Sequence, residues 1–167
     1  YGLVGSEMCI RDRVISDLKI RADSTEFGWD IPARISEVIH FSKFELYKID
    51  FMKRLKNTKI CIGTYNATTF LETLSYNIPT IVFFNLEQCK IRPEAIYYFE
   101  KLKSVGIFHD SPKSAANFLN KIESNIEGWW QSDDVQNTVM SFCNNYVYNS
   151  INWKEKWVNF LKEKKHD

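Results

Sequence analysis

Residues 59–84 read KICIGTYNATTFLETLSYNIPTIVFF, and this stretch decides the fold class. Residues 59–63 are a compact apolar run, which predicts a buried strand. Residues 80–84 are a second apolar run without polar alternation, which predicts a strand that is buried on both faces. Between them, residues 70–76 place apolar side chains on one helical face, and Pro79 follows the end of that helix. Strand, helix and strand in this order predict a βαβ unit with two parallel strands.

The same alternation continues on both sides of this unit. We predict a strand at 18–22, a helix at 50–55, a helix from Pro93 to about Ser104, a strand at 107–109 and a helix from Ser111. From residue 125 onward the pattern is helical only. We therefore expect an α/β domain with a Rossmann-like parallel sheet flanked by helices and a helical C-terminal tail. In that tail, we expect Trp130, Trp153 and Trp157 to pack into a core or against another domain.

Composition and charge exclude several classes of protein. The chain has 167 residues, 44% of them hydrophobic, and its 22 basic residues nearly balance 21 acidic ones, for a net charge of +1. This balance argues against nucleic acid as the main partner, because binding to the phosphate backbone needs a surplus of Lys and Arg. No apolar run approaches the roughly 18 residues of a transmembrane segment. We expect a cytoplasmic protein, with a peripheral position at the inner membrane as the alternative.

Cysteine and histidine spacing indicates neither a disulfide framework nor a metal site. Cys61, Cys89 and Cys143 form no CxxC pair, and the three histidines are scattered along the chain. We therefore expect free thiols, no bound metal and no cofactor.

The first 13 residues, YGLVGSEMCIRDR, resemble translated sequencing-adapter read-through. We interpret them as non-native, with a short native strand and turn as the alternative. A single domain is then expected to span residues 14–167, as a fragment of a longer protein.

The loop after the first buried strand is the best candidate for a ligand site. In open α/β sheets, ligands bind beyond the carboxyl ends of the strands, where the loop TYNATT at 64–69 lies. The helix that follows offers free N–H groups and a partial positive charge, which suit a phosphate or diphosphate. Gly63 would allow close backbone approach, and a carboxylate one turn into the helix, Glu72, would accept hydrogen bonds from a ribose.

A simpler interpretation of the same residues remains open. Thr68 or Thr69 caps the helix in this alternative, and Glu72 completes a capping box with Thr69. The two interpretations are compatible.

The segment TYNATTFLETLSYNIPTIVFF resembles the donor site of glycosyltransferases with the two-domain GT-B architecture. It is more similar to a family of transferases encoded with surface-carbohydrate and O-antigen genes. Further segments resemble that family: IRADSTEFGWD at 20–30, RPEAIYYFEKLKSVGIFHDSPKSAANFL at 92–119, WW at 129–130, FCNNY at 142–146 and WKEKW at 153–157. The resemblance covers nearly all of residues 14–165. It implies that this domain is the C-terminal, donor-binding half of a GT-B-type transferase.

The resemblance also implies roles for individual residues. Thr64, Asn66, Thr68 and Thr69 would contact the donor diphosphate, and Glu72 would hold the nucleotide ribose.

Two arginines and a histidine complete the set of candidates. Arg21 and Arg92 would neutralise phosphate charge. The alternative for Arg21 is a surface salt bridge, and the alternative for Arg92, which its neighbours favour, is a structural ion pair with Glu94 or Glu87. His109 is a candidate acid or base, with a polar strand-end residue as the alternative.

The function implied is glycosyl transfer in surface polysaccharide or O-antigen biosynthesis. A nucleotide-sugar donor would bind this chain, and an N-terminal domain would hold a glycan or lipid-linked acceptor, so the fragment is expected to be inactive alone. The alternatives are a related GT-B chemistry, such as sugar-nucleotide epimerisation or polyol-phosphate transfer, and a non-catalytic binding or scaffold domain. A dinucleotide-dependent oxidoreductase is disfavoured because no GxGxxG follows a strand.

Overall fold

The computed structural model describes residues 17–21, 28, 30–38, 43–44, 50–147 and 152–163. The strands are β1 (Lys19–Ile20), β2 (Lys43–Phe44), β3 (Cys61–Gly63), β4 (Thr80–Phe83) and β5 (Phe108–His109). The helices are α1 (Ile31–Val38), α2 (Phe51–Leu55), α3 (Thr68–Ser75), α4 (Pro93–Ser104), α5 (Pro112–Ile122), α6 (Ile126–Trp130), α7 (Asp133–Tyr146) and α8 (Trp153–Glu163). The proposed adapter segment, residues 1–13, lies outside these ranges.

Strands β3, β4 and β5 form a parallel sheet in that order. Gly63 pairs with Val82, which also pairs with Phe108, and Phe83 pairs with His109. Strands β1 and β2 form a separate parallel pair. Helices flank the three-stranded sheet, so the predicted Rossmann-like α/β fold is confirmed.

Strand β4 is buried along its whole length, as its uninterrupted apolar sequence predicts. Val82 belongs to a large core that α3, α4 and α7 build on one face of the sheet. Ile81 and Phe83 belong to a smaller core that α5 builds on the other face. Helix α3 connects β3 to β4, and helix α4 connects β4 to β5. Both helices lie on the same face of the sheet, because right-handed crossovers that proceed in the same direction across a sheet place their helices on one side.

Phe99 of α4 is the centre of the large core. Its ring meets Phe70, Phe84, Phe108 and Phe142 edge-on, with ring centroids between 5.3 and 6.4 Å apart. Edge-to-face pairs of this kind contribute about 0.5–1.5 kcal/mol each beyond the area they bury. One side chain thereby joins α3, α4 and α7 to the sheet.

Several predicted helix starts are confirmed by their caps. Asp50 Oδ1 accepts a hydrogen bond from the Lys53 N–H at 3.0 Å, and Ser111 Oγ accepts one from the Ser114 N–H at 3.2 Å. Pro93 lies in the first turn of α4, where its missing N–H costs nothing. These signals are local, which explains why the sequence predicts them well.

The tail tryptophans differ sharply in environment. Trp130 is buried, and its Nε1–H donates to both the carbonyl and the side-chain oxygen of Asn77 at 3.0 Å. Trp153 and Trp157 on α8 are 54% and 58% exposed. The predicted packing is thus confirmed for Trp130, whereas no core of the described residues covers the other two. No helix within the described ranges has the length and apolar content needed to cross a membrane.

Gly106 provides a test of the packing between α4 and α5. It follows the end of α4 with a φ of +82°, and a Cβ there would overlap the ring of Phe118. We expect Gly106→Ala to lower the free energy of unfolding by about 2–5 kcal/mol, since left-handed strain adds to overpacking. Urea denaturation measures this loss.

Gly28→Ala is the matched control. Gly28 has a similar φ of +76°, but nothing lies within 4 Å of the position of its Cβ. We expect this variant to lose about 1–2 kcal/mol or less from strain alone. Equal losses in the two variants would show that the contact with Phe118 contributes nothing.

Candidate functional site

The carboxyl ends of β3, β4 and β5 meet at one edge of the sheet, which we call the carboxyl edge. The pairing of Gly63 with Val82 and of Val82 with Phe108 brings these strand ends level. The loops 64–67, 84–92 and 110–111 therefore leave the sheet side by side. This edge is where open α/β sheets bind ligands.

Helix α3 begins at this edge without a side-chain cap. Its N-cap is Ala67, which has an extended backbone, and Thr68 and Thr69 are its first two residues. The helix thus begins just before the apolar face that the sequence predicts from residue 70. The capping-box interpretation is wrong, because Thr69 lies past the N-cap and Glu72 lies beyond the first turn. The first N–H groups of α3 have no cap from a side chain.

The polar residues of α3 face away from the core. Phe70, Thr73 and Leu74 are buried against the sheet, whereas Thr68, Thr69 and Glu72 are exposed. Because residues three and four apart lie on one helical face, Glu72 shares a face with both threonines. One side of α3 thus belongs to the core, and the other presents hydroxyl and carboxylate groups to solvent.

Two more of the predicted ligand-binding residues lie in the loop before α3. Thr64 and Asn66 are exposed, and the Ala67 N–H donates to the Tyr65 carbonyl at 3.1 Å. Within residues 50–147, the side chains of these two residues and of the three polar residues of α3 make no hydrogen bond or ion pair. The structure brings five predicted site residues together with their polar groups available.

Gly63 also has a packing role. A Cβ at this position would lie 3.2 Å from Val82 Cγ2 and 3.8 Å from Phe70 Cβ. The absence of a side chain allows β3 to pack closely on β4 and α3. Gly63 therefore has this packing role in addition to the predicted role of allowing a ligand to approach the backbone closely.

The two candidate arginines differ in location. Arg92 is exposed at the start of α4, where the loop after β4 ends. Neither Glu87 nor Glu94 forms an ion pair with it in the described part of the chain, so that alternative is wrong. Arg21 follows β1 in the two-stranded sheet, and its guanidinium carbon lies 5.4 Å from the Phe51 ring centroid. The three-stranded sheet therefore positions Arg92 at the carboxyl edge.

His109 is a structural bridge between β5 and α5. Its side chain is 6% exposed. Nε2 lies 3.0 Å from the Gly106 carbonyl oxygen, and Nδ1 lies 2.8 Å from Ser114 Oγ. Because a carbonyl only accepts, Nε2 carries the proton and Nδ1 accepts from the hydroxyl. Both ring nitrogens are occupied, which favours the interpretation as a polar strand-end residue.

Two of the described cysteines, Cys61 and Cys143, have raised pKa values and are protonated at neutral pH. Burial raises the pKa of Cys61 to about 11 and also raises the pKa of Cys143. These groups are free cysteines. A raised pKa makes a thiol a poor nucleophile, so we assign them no role at the site.

Two exposed residues at the carboxyl edge were not singled out from sequence. Tyr65 is 61% exposed between Thr64 and Asn66, and Lys90 is exposed in the loop after β4. An aromatic ring in an otherwise polar loop was the signal for Tyr65. For Lys90 no local signal existed, because its position depends on the strand order.

A shallow concavity of about 370 Å³ lies between α4 and α7, away from these residues. Its lining comprises Lys101, Ser104, Val105, Asp134, Asn137, Thr138 and Ser141. Helix α4 begins at the carboxyl edge, and this concavity contacts its last residues. No group of side chains suited to a metal ion occurs in the described ranges.

Comparison with known proteins identifies the class of enzyme to which the chain belongs. Residues 9–161 match the family described as LIC12162 family transferase. The chain belongs to this family. Searches of curated proteins and of solved structures gave no match. The family match includes the carboxyl edge, and it establishes a transferase without specifying the transferred group.

The environment of His109 in this LIC12162 family transferase predicts a pH dependence. Burial lowers the pKa of His109 below its ordinary value of 6.5. As the pH falls, the unfolded chain therefore binds this proton first. The stability contributed by neutral His109 is complete above about pH 6.5 and is lost as the pH falls through the lower pKa of the folded state.

We expect an NMR titration of the His109 ring to give a pKa below 6.5. The advantage of the native chain over His109→Gln in free energy of unfolding should shrink between about pH 7.5 and the pKa of the folded state. A pKa at or above 6.5, or an advantage that does not change with pH, would contradict this prediction.

Proposed function

We propose that this transferase binds the diphosphate of a nucleotide-activated sugar at the carboxyl edge and is a glycosyltransferase of surface polysaccharide or O-antigen biosynthesis. The observation that carries the proposal is the uncapped N-terminus of α3, with Thr68 and Thr69 exposed beside it. A side-chain oxygen at the N-cap can satisfy one of these N–H groups, as at Asp50 and Ser111, and Ala67 has none. A helix start that lacks such a cap at a ligand-binding edge is suited to an anion.

The diphosphate would be held by groups that need no rearrangement. The first N–H groups of α3 and its partial positive charge attract phosphate oxygens. The hydroxyls of Thr64, Thr68 and Thr69 and the side-chain amide of Asn66 would donate further hydrogen bonds. These side chains are exposed and have no partner within residues 50–147.

Glu72 and Tyr65 extend the site towards the nucleoside. Thr68 and Glu72 are four residues apart, so their Cα atoms are separated by about 6 Å along the helix axis. This distance suits one group bound to a diphosphate and another bound to the adjoining ribose. The exposed Tyr65 ring would stack on the base.

The proposed reaction transfers the glycosyl group to an acceptor hydroxyl. The bond between the anomeric carbon and the diphosphate oxygen breaks, and its electron pair leaves with the diphosphate. The acceptor oxygen bonds to the anomeric carbon and loses its proton to a base. The α3 N-terminus and Arg92 would stabilise the charge that develops on the leaving diphosphate.

His109 is not a candidate for that base, because both of its ring nitrogens are already hydrogen-bonded. We place the base on the part of the enzyme that binds the acceptor, which we take to be a glycan or a lipid-linked sugar. The chain's net charge of +1 is compatible with the proposed donor site, since one anionic ligand needs only a local group of hydrogen-bond donors and positive charge.

Binding measurements on matched variants test the site. We expect calorimetric titration to show binding of at least one nucleoside-diphosphate sugar from a panel that varies base and sugar. Thr68→Ala/Thr69→Ala should weaken this binding about tenfold or more, because a hydrogen bond to a charged group contributes about 1.5–3 kcal/mol. Glu72→Gln should weaken nucleotide binding and leave pyrophosphate binding unchanged.

The controls replace the same residue types elsewhere on the surface. Thr138→Ala lies on α7, and Glu100→Gln lies on the exposed side of α4. Unchanged affinity in the variants at the three site positions would exclude this site and favour a non-catalytic scaffold. With the site established, isotope-labelled product analysis distinguishes glycosyl transfer from epimerisation and polyol-phosphate transfer.

A further inference from the structure

Helix α8 carries the largest group of exposed apolar side chains in the described chain, and none of its residues is buried. Trp153, Trp157, Phe160 and Leu161 are each between 49% and 58% exposed. At about 100° per residue these four side chains fall within an arc of about 100° on the helix surface. We call this arc the aromatic face of α8.

Charged residues are arranged around the aromatic face in a definite order. Lys154 borders it on one side and Lys156 on the other, at the helical positions adjoining the arc. Glu155 lies almost opposite the centre of the arc, and Glu163 lies outside Lys156. The Lys154 ammonium lies 5.6 Å from the Trp153 ring centroid, so this lysine bends towards the apolar side of the helix.

This combination favours a lipid surface over a protein as the occupant. Protein interfaces are enriched in Trp and Phe but depleted in Lys. At a membrane surface, by contrast, lysines beside an apolar face keep their stems in the apolar layer and extend their ammonium groups to the lipid phosphates. Tryptophan is likewise enriched at the boundary between lipid headgroups and acyl chains.

The length of α8 determines its orientation. Eleven residues make a helix about 16 Å long, roughly half of the thickness of a bilayer's hydrocarbon core. The helix is therefore suited to lie in the plane of the surface. The sequence continues with two further basic residues, Lys164 and Lys165.

We propose that α8 binds the surface of an anionic lipid membrane, with its aromatic face inserted below the headgroups and Lys154 and Lys156 contacting lipid phosphates. This inference does not depend on the proposed donor site. It would hold the chain at a membrane, where lipid-linked acceptors reside.

Vesicle flotation tests the proposal with the full chain. We expect binding to vesicles of 30% phosphatidylglycerol in phosphatidylcholine and clearly weaker binding to phosphatidylcholine alone. Trp153→Ser/Trp157→Ser should lower the partition coefficient on anionic vesicles at least about tenfold, because the apolar contacts are lost. Lys154→Glu/Lys156→Glu should lower it by a similar factor on anionic vesicles and have little effect on neutral ones.

Lys113→Glu/Lys121→Glu is the matched charge control, since it makes the same charge change at two exposed positions of α5. The thermal midpoint should stay unchanged in the α8 variants, because none of the substituted side chains belongs to a core. We expect the control to retain most of its binding.

Three outcomes would overturn the proposal. They are absence of binding to anionic vesicles, equal loss in the two charge-reversal variants, and binding that the tryptophan substitutions leave intact. Self-association without vesicle binding, abolished by Trp153→Ser/Trp157→Ser in analytical ultracentrifugation, would identify the aromatic face as a protein contact.

Discussion

The rest of the structure depends on the burial of β4 between two helical layers. All four residues from Thr80 to Phe83 are buried, and alternate side chains enter the large core and the small core. Because β4 pairs with strands on both sides, it also aligns the ends of β3 and β5. A polar residue at Ile81 or Val82 would be left without hydrogen-bond partners in an apolar layer, at a cost of several kcal/mol.

The candidate site follows from this packing. Helix α3 presses Phe70 and Leu74 onto the sheet, and this contact sets the rotation of the helix that leaves Thr68, Thr69 and Glu72 in solvent. Contacts with α5 and with Gly106 instead accompany the burial of His109, which looked from sequence like a possible acid or base. Its neighbours Gly106 and Ser114 occupy both ring nitrogens and give it a structural role. At the carboxyl edge, the polar groups proposed to bind a ligand are therefore exposed, whereas His109 is buried and hydrogen-bonded within the fold.

The two proposed binding surfaces each attract phosphate with a small number of positive groups, but the source of the positive charge differs between them. At the carboxyl edge, the N-terminus of α3 supplies partial positive charge from the backbone, and Arg92 adds a side chain. On α8, Lys154 and Lys156 border an apolar arc. A chain with a net charge of +1 thus has two local regions suited to phosphate, one for a soluble diphosphate and one for lipid headgroups. Net charge conceals such local arrangements.

The sequence by itself determined the order of strands and helices from residue 50 onward, the burial of β4, and the caps at Asp50 and Ser111, because periodicity and capping act over a few neighbouring residues. It also predicted where a ligand site would lie, since the carboxyl ends of parallel strands share an edge. It did not predict α1 or β2. Only the tertiary structure decided the start of α3, the packing role of Gly63 and the fate of the tryptophans. Trp130 and Trp157 belong to similar helical patterns, yet one is buried beneath Asn77 and the other is exposed. That difference depends on contacts with residues far away in sequence, which no local pattern contains.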